Sequence, residues 1–149
     1  MKLFSKAAAI LAASVLCLAF LGCRNSTNED DGNSISKLET PTNLVINSIT
    51  DNTISVAVNI TFNYDGKFEG ATYGILGYSV TNDSSQAIYD SYNSTVTLES
   101  GTNTRTANIQ NWTPVSGKKY YFWLKATSSA NNVSDSAWSN VAEFTYSAN

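Results

Sequence analysis

From residue 43 to residue 146 apolar and polar positions alternate in short runs. Asn, Ser, Asp and Gly separate the runs. A period of two predicts β-strands, because successive side chains of a strand point to opposite faces. The runs fall at 43–47, 53–62, 73–81, 94–99, 104–109, 118–127 and 137–146. In the second, Ile54, Val56, Val58 and Ile60 alternate with smaller or polar residues. In the third, Leu76, Tyr78 and Val80 share one face. In the sixth, Tyr120, Phe122 and Leu124 point inward, which sends Tyr121, Trp123 and Lys125 outward. No segment keeps a helical period. Seven short strands at this spacing predict an all-β sandwich.

The pattern before residue 41 is different. Lys2 and Lys6 precede an uncharged, Ala- and Leu-rich stretch over residues 7–22. That is the charged start and apolar centre of an export signal. As a helix the stretch covers about 24 Å, short of a ~30 Å hydrocarbon core, so a retained span is the weaker reading. Residues 24–40 are polar, with Ile35 and Leu38 the only sizeable apolar side chains. Such a segment buries too little surface to fold alone and predicts a flexible tether. The expected organisation is a signal peptide (1–22), a disordered tether (23–40) and one domain (41–149).

Composition narrows the chemistry. The chain has no His, which removes the commonest general base and the commonest metal ligand. Of its two Cys, Cys17 lies inside the signal, so neither a disulfide nor a Cys metal site is expected after export. Residues 41–149 carry five Lys/Arg against eight Asp/Glu, a net formal charge of −3 without a basic stripe, which argues against nucleic acid. There is no Gly-x-Ser-x-Gly elbow and no Gly-rich phosphate loop. Nothing calls for a cofactor or a metal. One carboxylate pair, Asp65 and Glu69 in DGKFEG, keeps a small carbohydrate-active enzyme as an alternative.

Two resemblances add to this reading. Leu18-Ala19-Phe20-Leu21-Gly22-Cys23 resembles the lipobox of bacterial lipoproteins, with Phe20 where that motif usually has Leu. The resemblance implies cleavage before Cys23, multiple acylation at its sulfur and attachment to a membrane; a single chain would hold weakly. Arg24 stands after Cys23, and the lack of Asp there resembles outer-membrane rather than inner-membrane cargo. Residues 41–146 resemble a fibronectin type III domain, an immunoglobulin-like sandwich. The similarity rests on Ile54-x-Val56-x-Val58, Gly77-Tyr78-Ser79-Val80, Ile109-Gln110-Asn111-Trp112-Thr113-Pro114, Tyr120-x-Phe122-x-Leu124-x-Ala126 and Ser136-Ala137-Trp138-Ser139. It implies that Tyr120 is a tyrosine corner, bonded back to the preceding turn, that Trp112 caps the core at the sandwich end, and that Tyr78 is structural as well. The chain departs from the family pattern in three places. Val58 stands where Trp is frequent, two extra residues separate Pro114 from Tyr120, and the link after the third strand is long.

Aromatic residues are the remaining candidates for recognition. Tyr121, Trp123 and Lys125 would form an outer platform beside the small Gly77 and Ser79. The rings could equally fold over the bare glycine backbone. Phe68, Tyr73, Tyr89 and Tyr92 form a second set in or near loops. The expected function is a monomeric, lipid-anchored, non-enzymatic binding or spacer module that contacts a protein or a glycan. The alternatives are the enzyme above and a purely structural envelope component.

Overall fold

The computed structural model describes residues 36–52, 55–66, 72–89 and 95–148. Cys23, Phe68, Glu69 and Tyr92 lie outside the described residues, and with them the acylation site, one member of the carboxylate pair and two of the loop aromatics.

Two antiparallel sheets form a β-sandwich. Strands β2 (Thr42–Asn52), β3 (Ser55–Tyr64) and β6 (Gly101–Gln110) make one sheet in the order β2-β3-β6. Strands β4 (Thr72–Ser79), β5 (Thr95–Thr97), β7 (Lys119–Ser128) and β9 (Ala142–Thr145) make the other, ordered β5-β4-β7-β9. This order is compatible with the immunoglobulin-like arrangement that the sequence resemblance implies.

Period two explains the core. Val56, Val58, Ile60 and Phe62 of β3 and Phe122, Leu124 and Ala126 of β7 have no exposed surface. Each large apolar side chain taken out of water stabilises the fold by about 1.5–3 kcal/mol before entropy is counted. Trp112 fills the space beside them, 4.3 Å from the Tyr78 ring and 6.0 Å from Phe122 between centroids. The Tyr120 ring is buried next to Trp112, and its hydroxyl accepts a hydrogen bond from the Val115 N–H at 2.9 Å. One contact therefore pins the turn before β7 to the core.

Three features differ from the sequence expectation. Order begins earlier than residue 41: β1 (Ser36–Lys37) pairs in parallel with β8 (Val133–Ser134), and Leu38 is buried in the core cluster. The end of the polar segment is docked by this one apolar side chain and by the Leu38 N–H, which donates to Ser134 O at 3.0 Å. Val80, expected on one face with Leu76 and Tyr78, is 51% exposed, since the strand ends at Ser79. The last strand is shorter than 137–146. Only Ala142–Thr145 joins the ladder, and residues 136–141 run beside β7 in another way.

Candidate functional site

In that segment Ser136 and Ser139 each replace a rung of the ladder. The Ser136 N–H donates to Ala126 O at 2.9 Å, and its hydroxyl accepts from the Ala126 N–H at 2.8 Å. Ser139 does the same at Leu124, with distances of 2.8 Å and 3.0 Å. A spacing of three where a strand has two forces a bulge. The bulge throws Trp138 across the outer face of the four-stranded sheet. Asn140 then ties the segment to the first sheet, accepting from the Leu44 N–H and donating to Leu44 O.

Trp138 comes to rest over Gly77. A Cβ at residue 77 would lie 3.1 Å from both the Trp138 ring and Ala87, so any larger residue would press on the indole and on Ala87. Ala87 arrives from the other side. Asp83 caps the 3₁₀ turn Ser84–Gln86, accepting from Ser85 N–H and hydroxyl, and Ile88 bridges back to Tyr78. This return places Tyr89 against Trp138, edge to face at 5.6 Å.

The Lys125 ammonium sits between the two rings, 5.1 Å from Tyr89 and 5.3 Å from Trp138, within cation–π range. It also pairs with Asp135 at 2.9 Å. The Thr127 hydroxyl donates to the other Asp135 oxygen at 2.6 Å. Burial works to raise the Asp135 carboxyl. The hydrogen bonds from Thr127 and Lys125, with the Lys125 charge, outweigh it and hold the group below its ordinary value. Beside this cluster lies an open groove of about 760 Å³, a volume usual for small-molecule sites. Ile75 lines it with Tyr73 and Tyr89, and Lys125, Ser129 and Asp135 supply polar groups.

The structure thus joins members of the two aromatic sets. Lys125 from the outer platform meets Tyr73 and Tyr89 from the loop set. The platform itself is corrected: Trp123 is 4% exposed and presents no surface to a ligand. It opposes Gly77 in register. Gly77 is covered as a ring-over-glycine reading requires, but by Trp138 rather than by a ring of its own sheet. Tyr121 is half-buried opposite Ser79, beyond Gly77 and away from the groove. Tyr120, Trp112 and Tyr78 belong to the core side. Asp65 is exposed just after β3. Among the described residues no three His, Cys, Asp or Glu side chains are grouped for a metal, and no helix is long and apolar enough to cross a membrane.

Sequence reasoning missed Trp138, Asp135 and Ile75. The three-residue spacing of Ser136 and Ser139, out of phase with a strand, was the available signal for Trp138. Nothing local pointed to Asp135, which acts through Lys125 and Thr127 of another strand.

No protein-family model and no curated protein matches the chain. Among solved structures, the sensor domain of the anti-sigma factor RsgI4 of Pseudobacteroides cellulosolvens is similar at 17% identity, covering 71% of this chain and 94% of that one, with a TM-score of 0.40. A β-glucosidase of Kluyveromyces marxianus is similar at 16% identity over 71% of this chain, with a TM-score of 0.32. Its complex with glucose gives 17% identity and a TM-score of 0.31. This chain covers 14% of that enzyme. Likenesses this distant leave the function open.

Proposed function

We propose that this chain is a lipid-anchored, non-enzymatic binding module of the bacterial cell envelope, of fibronectin type III type, that engages its partner at the groove on the four-stranded sheet. The observation that carries the reading is the Lys125 cluster. Two rings, a lysine and a carboxylate contact one another beside an open groove, at a cost in exposed aromatic surface. Exposed, immobilised aromatic and cationic side chains are the groups that dominate binding energy at recognition sites. The Asp135 carboxyl is held ionised and ion-paired, which suits it to grip donors rather than to deliver protons. Acylation at Cys23 fixes the module to a membrane, the outer one by the residue that follows.

Residues 24–149, prepared without the leader, test the site when probed against defined peptide and glycan arrays. Saturable binding that disappears in Tyr89→Ala/Lys125→Ala is expected. Binding that survives the double substitution moves the site elsewhere, and no binding on either array leaves a spacer. For the anchor, labelled palmitate should be incorporated by the natural chain and not by Cys23→Ser.

A further inference from the structure

We infer that the groove takes a neutral, polyhydroxylated ring, a glycan without fixed charge, stacked on Tyr89 and held at its hydroxyls by Asp135 and Lys125. This rests on the binding-module reading and names its ligand class.

Three observations converge. The first is charge. Among the described residues that line the groove, the charged side chains are Lys125 and Asp135, and they neutralise each other at 2.9 Å. A site selecting an acidic or basic ligand presents charge of one sign. Here the ion pair is a dipole, with an ammonium that donates and a carboxylate that accepts, which matches hydroxyl groups that do both.

The second is the floor. Strands β4 and β7 are the inner strands of their sheet, paired with each other from Thr72–Ser128 to Ser79–Tyr121. Their main-chain groups along this floor are spent within the ladder. An extended peptide gains affinity by adding a strand to an open edge; β4 and β7 offer it none, and the edge strand β5 meets the groove at Thr95. A ligand lying over β4 and β7 has to be held by side chains.

The third is the wall. Tyr89 is 47% exposed, yet its ring is braced by the Trp138 contact and by the Lys125 ammonium. A ring braced on one side and open on the other is a stacking surface. Its negative face attracts the C–H edge of a sugar, and its contacts with Trp138 and Lys125 reduce the entropy lost on stacking. Ile75 gives the floor apolar character, and the Tyr73 and Ser129 hydroxyls extend the polar rim.

The test uses residues 24–149 with three probe sets: neutral hexasaccharides (cello-, chito-, manno- and maltohexaose), oligogalacturonate as an acidic glycan, and a random peptide library. Calorimetry gives affinity. Acrylamide quenching of tryptophan emission reports the site, because Trp138 is half-exposed while Trp112 and Trp123 are buried. The expected result is saturable binding of at least one neutral hexasaccharide, with protection of Trp138. Tyr89→Ala should weaken it about tenfold or more, and Asp135→Asn several-fold, as losing a central contact does. Tyr89→Phe, which keeps the ring, should bind nearly as the natural chain does and guards against a folding artefact. Thr104→Ala on the other sheet should change nothing. Binding of only the acidic glycan or of peptides, lost in Tyr89→Ala, overturns the glycan inference and leaves the binding-module reading standing. Absence of groove-dependent binding in all three sets overturns both.

Discussion

On the outer face of the three-stranded sheet, short polar side chains bond to one another. Asn47 donates to Thr61 at 2.7 Å and to Asn59 at 3.1 Å, Thr102 donates to Asn63 at 3.0 Å, and Thr61 lies 3.3 Å from Thr104. On the outer face of the four-stranded sheet, Ile75 and Trp123 are buried, Trp138 and Ala87 lie over Gly77, and Tyr89 packs against Trp138. The first face is complete as a sheet surface and solvated. The second carries apolar surface that water disfavours, so two segments from elsewhere in the chain cover it. Among the described residues the cover leaves a groove beside Tyr89 and Lys125. The site follows from how the second face is closed.

The contrast is exposed to measurement. The largest effect is expected at Trp123. If it is a covered core residue, Trp123→Ala should cost about 3–5 kcal/mol in urea denaturation. A loss under ~1 kcal/mol would return it to the open platform and erase the difference between the faces. Next comes the bracket that aims Trp138. Ser139→Ala leaves the Leu124 N–H without the hydroxyl it donates to, and should cost about 1–3 kcal/mol by the same assay. Smaller is the coupling of Lys125 to the indole. A double-mutant cycle of Lys125→Met with Trp138→Leu should give an interaction of about 0.5–1 kcal/mol, and an additive cycle would dissolve the cation–π contact.

The ion pair adds a pH signature. Because the Asp135 carboxyl is lowered in the folded chain, its stabilisation is present above the ordinary carboxylate value and is lost as pH falls through the lowered one. Thermal melts of Asp135→Asn should therefore match the natural chain's trend less steeply below about pH 4. An identical acid limb in both would contradict the pairing. The smallest effect belongs to the polar face: Thr104→Val should shift stability by no more than about 0.5 kcal/mol. A larger loss would mean that the Asn/Thr array is itself structural.

The alternation of apolar residues was enough to predict an all-β sandwich, its principal strands and the inward faces of β3 and β7, because side-chain direction in a strand is a local property. The Tyr120 hydroxyl meets the turn before β7, where the sequence resemblance put it, because that contact spans only five residues. Lys125, Tyr73 and Tyr89 were also visible as candidates, though in separate sets. What covers an outward face is not local. Alternation sent Trp123 outward correctly, but its burial depends on what packs over that face, which alternation does not carry. Asp135, Trp138 and the docked Leu38 likewise acquire their partners only when distant segments meet. The chain's own pattern decided which way each side chain points; tertiary structure decided which of those directions still reach water, and so where a ligand can bind.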